Sequence, residues 1–314
     1  MDRQQRIDQI AGCYITIPTM FRDPDLEVDL DATRQVVQFL IDGGCHTGNG
    51  VILAGGAAGD FSTMTFDERV AVCAAVVEQA DGRIPVVMGA QTTSTRELVR
   101  LAQAAERIGA QYIQVSCPFY FDHTEDDFFE FVEAANDAAD VGIILYNTFW
   151  TATGLSLGIA QRMAELEHVA AIKWATPRTD RMEFERVINT FKDRLSVIDN
   201  QVQFAQSHMM GARCLECHVV NYWPQWGLQL MDLLEAGRYA EAQAEILRVA
   251  VPYYVLWTDI EDTFTSGDGY LDKLCMELVG LPSSRCRPPT RDVREQFREQ
   301  VRQMMIDTGV PGMK

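Results

Sequence analysis

Lysine is scarce in this sequence: only four of its 27 basic residues are lysine, and 45 acidic residues leave a net charge of −18. Such a balance repels phosphate backbones and anionic lipid alike, so no nucleic acid partner is expected. No apolar run approaches the roughly 18 residues needed to span a bilayer, and no membrane partner is expected either. The first residues also lack the basic segment and long apolar stretch of a signal peptide, which makes a cytoplasmic location the expectation. Equally missing are G-x-G-x-x-G, a Gly-Lys-Ser/Thr phosphate loop, H-E-x-x-H and a second C-x-x-C pair. Those absences remove the dinucleotide, phosphate-loop and zinc readings, so the expectation is no metal and no cofactor.

What is present is an ordinary globular composition, with 314 residues of which 47% are hydrophobic and 23% charged. Eight cysteines are scattered through a chain long enough to build its own core, which suits free thiols better than a disulfide framework. Cys214-Leu-Glu-Cys217-His218 matches the C-x-x-C-H pattern of covalent haem. That attachment normally accompanies export, and the segment falls where an eighth strand is due, so these are expected to be core and wall residues.

Short apolar, β-rich runs alternate with stretches of helical period, the pattern of parallel strands joined by helices. Candidate strands cover 13–19, 50–53, 84–89, 112–116, 142–146, 169–173, 195–199 and 213–219. Candidate helices between them cover 65–80, 94–108, 124–139 and 156–166, the first two opening on the capping boxes Thr65-x-x-Glu68 and Ser94-x-x-Glu97. Eight βα units over about 236 residues match the size of a (β/α)8 TIM barrel, with a doubly wound sheet as the runner-up. Near Gly237 the alternation stops, and 239–255, 270–279 and 291–307 read as helices. The expected organisation is therefore a barrel over 1–236 and a C-terminal helical domain over 237–314.

Among the four lysines, Lys192, Lys273 and Lys314 read as solvated, whereas Lys173 closes the apolar sixth strand, Val169-Ala-Ala-Ile-Lys-Trp. An amine among apolar neighbours is poorly hydrated as the cation, which favours the neutral form that attacks carbonyls. At the C-terminal end of a barrel strand it would also face the mouth where barrel enzymes work. The bland alternative is a lysine reaching past the strand end to solvent. Tyr146 ends the fifth strand beside it, and Tyr120 lies in the loop after the fourth; each is either a proton carrier or a packed aromatic. After the second strand, Ala54-Gly-Gly-Ala-Ala-Gly-Asp60 reads as a tight turn whose backbone N–H groups could hold a small carboxylate. Trp150, Trp174, Trp223 and Trp226 follow strands and either pack loops or wall an apolar substrate.

These residues resemble the dihydrodipicolinate synthase and N-acetylneuraminate lyase superfamily of class I, lysine-dependent pyruvate aldolases. The likeness spans nearly the whole chain. It is carried by Gly56-Ala-Ala-Gly-Asp60 with Thr65 and Glu68, by Pro118-Phe-Tyr-Phe121, by Ile144-Leu-Tyr-Asn147 with Thr153-Gly154, and by Ala171-Ile-Lys173. It implies a (β/α)8 barrel with C-terminal helices, a homotetramer built as a dimer of dimers, and a Schiff base between Lys173 and pyruvate or another 2-oxo acid. Tyr146 would then transfer protons, Tyr120 would reach a neighbouring subunit's site, and Ala57, Ala58 and Gly59 would receive the carboxylate.

Two departures stand out. The family usually carries hydroxyl residues where this chain has Ala57 and Ala58, so the proton relay needs another source, such as Thr19, Ser62 or Thr63. The synthases also use an arginine shortly after the tyrosine strand, absent from Thr148-Phe-Trp-Thr-Ala-Thr153. The leading expectation is a lyase that makes or breaks a C–C bond through a Lys173 imine and enamine, with Phe149, Trp150, Trp174 and Trp223 suiting an apolar or aromatic aldehyde. The alternatives are a 2-keto-3-deoxy sugar acid dehydratase, dihydrodipicolinate synthesis itself, and a degenerate barrel that binds a 2-oxo acid without turnover. Alternation groups Leu215 with Cys217 and Glu216 with His218, and the family pattern points the first pair inward as substrate-binding residues.

Overall fold

The computed structural model describes residues 1–150, 154–177 and 181–313, leaving the side chain of Arg181 aside. Eight parallel strands close a barrel in the order β1 to β8: Gly12–Ile17, Gly50–Ala54, Val86–Gly89, Tyr112–Ser116, Gly142–Asn147, Val169–Trp174, Ser196–Asp199 and Cys214–Glu216. All eight expected strands are present, and β8 stops three residues earlier than expected because the chain turns into a 3-10 helix at His218–Asn221. Helices α1 to α8 are Arg3–Gln9, Leu30–Asp42, Phe66–Ala80, Thr95–Ile108, Glu125–Ala138, Leu157–Met163, Arg181–Phe191 and Phe204–Met210. The capping box at Thr65 and Glu68 forms. Ser94 makes no such side-chain cap, and further boxes form instead at Asp2 with Gln5 and at Thr124, where Asp127 serves in place of the longer Glu.

Both faces of a barrel strand are covered, so the strands are apolar on both sides. The inner layer is Tyr14, Val51, Leu53, Val87, Tyr112, Ile144, Ala171, Ile198 and Cys214, plugged at the N-terminal end by Ile7 and Ile10 around α1. Tyr112 donates its hydroxyl to the Arg6 carbonyl (2.8 Å) and Ser196 to the Ile10 carbonyl (2.5 Å), fastening that plug. The outer layer, between strands and helices, holds Cys13, Ile15 and Ile17 from β1 and Val169, Ile172 and Trp174 from β6. On β6 simple alternation from Val169 would turn Lys173 outward. A bulge at Ala170, where the β5 register jumps from Ile143↔Val169 to Ile144↔Ala171, reverses the parity and aims Lys173 into the barrel.

After the barrel, α9 to α13 are Pro224–Glu235, Tyr239–Glu245, Val251–Thr263, Tyr270–Leu278 and Arg294–Thr308. A π-helical segment, Ile246–Ala250, joins α10 to α11, so the helix expected to end at 255 continues to Thr263. Of these, α9 lies on the outside of the barrel beside β1 and α10 packs on α8 and α9, while α12 reaches the C-terminal end of the barrel. Lys273 on α12 is not solvated as expected but 1% exposed, bonded at 2.7 Å to Asp60 beyond β2. Its Nζ also donates to the Arg285 carbonyl and sits over the Phe21 ring. Arg287 clamps Glu68 with two hydrogen bonds and holds its carboxyl down at about 2. All eight cysteines are free thiols. No helix among the described residues is long and apolar enough to cross a membrane.

A buried ion pair specifies geometry more than it adds stability, but removing one partner strands the other charge. Lys273→Met should therefore cost about 3–5 kcal/mol in urea unfolding, whereas Lys273→Met combined with Asp60→Asn should lose clearly less. Equal losses in the single and double variants would show that Asp60 is not left uncompensated.

Candidate active site

Three strand ends place the central groups. β5 and β6 pair Tyr146 with Lys173, and β8 pairs Glu216 with Tyr14 on β1. The Asn147 side chain donates to the Ala175 carbonyl (3.1 Å) and accepts from the Leu155 amide (2.7 Å), holding the ends of β5 and β6 together. Lys173 is 3% exposed, with Nζ 4.4 Å from the Tyr146 ring centre and 5.1 Å from that of Tyr14. Its charge is met by Glu216, whose Oε2 forms an ion pair with Nζ. The other carboxylate oxygen accepts the Thr16 hydroxyl at 2.6 Å. Lys173 is thus not an amine isolated among apolar groups but one half of a buried pair.

The expected faces of β8 are reversed. Glu216 points into the barrel with Cys214, while Leu215 and Cys217 lie in the outer layer against the helices. The parity follows from the β1 register, in which inward Tyr14 pairs with Glu216. Cys214 and Cys217 consequently face opposite sides and cannot present two thiols to one group. Trp174 is also corrected: it follows inward Lys173, so it points outward, fully buried, and donates to Glu183 at 3.0 Å. Trp223 and Trp226 belong to the packing around α9, with Trp226 bonded to Glu245. Trp150 remains at the mouth, half exposed, with its ring 6.3 Å from Tyr146 and 4.9 Å from Phe149.

The turn after β2 closes over the same end of the barrel. Gly59 and Asp60 donate to the carbonyls of Gly56 and Ala57, and a Cβ on Gly56 would lie 2.9 Å from the Thr16 methyl. Gly56, which leads into Ala57, Ala58 and Gly59, therefore stands against the threonine that holds Glu216. From the other side the turn is covered by Gly269, where a Cβ would fall 2.3 Å from the Ala58 carbonyl oxygen. Of the hydroxyls offered as replacements for the missing relay, Thr19 donates to the Gly59 carbonyl (2.7 Å), Thr63 to the Asp60 carbonyl (3.1 Å), and Ser62 is exposed. Tyr120 is 86% exposed at a backbone φ of 90°, the left-handed region that non-glycine residues rarely occupy, and stands away from the barrel interior. Thr153 and Lys314 lie outside the described residues.

Electrostatics sharpen the picture. Burial would raise the Glu216 carboxyl, but Lys173, His218 and the hydrogen bonds to Lys173 and Thr16 hold it below its usual range. Tyr146 is pushed well above its usual range by burial and then by the charges of Glu216 and Asp268, against a hydrogen bond from Asn200 (3.1 Å). Its phenol is accordingly a proton donor at rest. Asn200 is presented by a strand exit that Asp199 fixes, accepting the Gln201 amide and the Ser207 hydroxyl. Thr16, Tyr14 and Asn200 were not singled out from sequence, and Glu216 was named there only on the face expected to look away from the site. An acid inside an apolar strand was the available signal for Glu216.

Behind Glu216, His218 Nδ1 donates to the Asp272 carboxylate at 2.8 Å, and the ring is enclosed by Tyr253, Tyr254 and Trp257. Burial alone would lower the imidazole, yet Asp272, then Asp268 and Glu216, raise it to about 9. Burial raises Asp268 to about 6.

A model of the dihydrodipicolinate synthetase family matches residues 10–307. A 4-hydroxy-tetrahydrodipicolinate synthase of Nitrobacter hamburgensis is 33% identical over 308 residues, 96% of this chain and 98% of that protein. One of Methylobacterium radiotolerans is 32% identical over 236 residues, 74% of this chain and 76% of that protein. Among solved structures, a chloride-inhibited dihydrodipicolinate synthase from Acinetobacter baumannii complexed with pyruvate superposes with a TM-score of 0.83 at 24% identity. It covers 96% of this chain and 99% of that one.

The His218 value has a definite sign for stability. An unfolded imidazole titrates near 6.5, so the pairing contributes fully below about pH 6.5 and is lost as pH rises through about 9. The melting temperature should fall more steeply between those values in the unaltered protein than in His218→Gln. Parallel curves would mean that the buried imidazole is neutral throughout.

Proposed function

Since this chain belongs to the dihydrodipicolinate synthetase family, lyases of the class I aldolase type, we propose that it acts on pyruvate or a substituted 2-oxo acid through an imine on Lys173. The observation that carries this reading is the placement of Lys173 at the C-terminal end of β6, in register with Tyr146 and buried beside its ring. In the proposed reaction, Nζ adds to the C2 carbonyl, water leaves, and the iminium accepts the electron pair of the breaking C3–C4 bond to give an enamine. In the bond-forming direction the Tyr146 phenol, protonated at rest, gives its proton to the aldehyde oxygen, and cleavage runs the same path in reverse. The proposed chemistry needs no cofactor beyond the lysine itself.

The turn at Ala57, Ala58 and Gly59 is the proposed cradle for the 2-oxo acid carboxylate, with the Ala57 and Ala58 N–H groups as its donors, supported by the stand of the preceding Gly56 against Thr16. Phe149 and Trp150, both half exposed next to Tyr146, support an apolar or aromatic aldehyde partner. Exposed Tyr120 and Phe121, which pack edge to face at 4.9 Å, support a homotetramer in which Tyr120 reaches a neighbouring subunit. A cytoplasmic barrel over 1–236 with a helical domain over 237–314 completes the proposal. Ala57 and Ala58 favour one rival reading, a barrel that binds 2-oxo acids without turnover.

Incubation with pyruvate and borohydride should add one reduced adduct to the intact mass, mapped to Lys173 and missing in Lys173→Ala. No adduct with pyruvate or longer 2-oxo acids would favour the binding reading. Tyr146→Phe should retain the adduct and lower turnover by about 10²- to 10⁴-fold. Product analysis with aryl-substituted 2-oxo acids and 3-deoxy sugar acids separates aldol cleavage from dehydration.

A further inference from the structure

A buried carboxylate is expensive, and Glu216, with 7% of its side chain exposed, occupies an otherwise apolar three-residue strand. Each of its oxygens has one task. Oε1 is fixed by the Thr16 hydroxyl, and the Thr16 backbone is itself tied through its carbonyl to Asn221 (3.0 Å). Oε2 is thereby aimed at Lys173 Nζ. The phenols flanking Nζ both hold their protons and so cannot take the ammonium proton: Tyr14 donates to Gln114 (2.9 Å), and the Tyr146 oxygen accepts from Asn200. The turn that carries Ala57 and Ala58 brings no hydroxyl to this place.

We infer that Glu216 is a catalytic residue that accepts the Lys173 ammonium proton and returns it to the oxygen that leaves as water, an inference that rests on the imine reading above. The steps balance without any oxidant or reductant. The ion pair of ammonium and carboxylate becomes an amine beside a carboxylic acid, a neutral pair that avoids the desolvation cost of two charges. The nitrogen lone pair then bonds to C2 while the carbonyl π pair moves to oxygen. Glu216 protonates that oxygen, takes a second proton from the nitrogen, and gives it to the hydroxyl as the C–O bond breaks. Water, an iminium cation and the Glu216 carboxylate remain, with the total charge unchanged. Thr16 is a positioning residue in this scheme, acting only through the carboxylate it orients.

The test is the rate of Lys173 adduct formation with pyruvate, sampled by rapid quenching into borohydride. Glu216→Gln keeps the shape of the side chain and should slow the adduct by about 10²- to 10⁴-fold. Thr16→Val should slow it less, and it carries the test should Glu216→Gln fail to fold. Added formate should speed the adduct in Glu216→Ala and leave the unaltered protein unchanged, a rescue that a merely structural role would not produce. Adduct formation at the unaltered rate in Glu216→Gln or Thr16→Val, or no formate rescue in a folded Glu216→Ala, would overturn the inference and leave the imine reading standing. Failure of the unaltered protein to trap any 2-oxo acid would instead remove the imine reading and this inference with it.

Discussion

Two opposite charges meet inside the barrel, and neither can be there alone. Lys173 and Glu216 are both more than nine-tenths buried, so each meets its desolvation cost through the other. That requirement orders the upper layer of the barrel. Glu216 must face inward, which places Cys214 inward and Leu215 and Cys217 outward, and the bulge at Ala170 must bring Lys173 round to meet it. Thr16 and Tyr14 then present β1 to the pair, and Tyr146 closes the other flank. A single charge pair therefore ties β1, β5, β6 and β8 together at the end where barrel enzymes place their chemistry.

The C-terminal helices take part in building this end. Lys273 on α12 reaches Asp60, Gly269 meets the Ala58 carbonyl, and Arg287 grips Glu68 at the start of α3. All three contacts converge on the turn after β2 or the helix that follows it. His218 and Asp272 link the end of β8 to α12, and the His218 charge reaches Glu216. A turn of small residues has few side-chain contacts of its own, so its backbone depends on such outside supports.

Most of the architecture was legible in the sequence because βα alternation is a strong periodic signal, and Val169-Ala-Ala-Ile-Lys-Trp could hardly be read other than as a buried strand. Lys173 and Tyr146 followed from their places at strand ends. Facing was not legible. In a strand covered on both sides, alternation does not say which set looks inward, so Leu215 and Cys217 were expected inward where Cys214 and Glu216 are. Trp174 was read as a wall residue because it lies beyond a strand, although a neighbour of an inward lysine must look outward. Bulges such as the one at Ala170 leave no mark in a run of alanines. Lys273 is the reverse case, a helix lysine whose partner Asp60 lies 213 residues away and is brought near only by the fold.

The central claim is that Lys173 and Glu216 work as one unit on a carbonyl. The most direct measurement is a crystal structure of the pyruvate-soaked protein with the imine trapped. The account predicts continuous density from Lys173 Nζ to C2 of the ligand, with a Glu216 oxygen within hydrogen-bond distance of that nitrogen and the Thr16 hydroxyl still on the other oxygen. Glu216 turned out of the barrel, or pyruvate bound away from an unmodified Lys173, would contradict it.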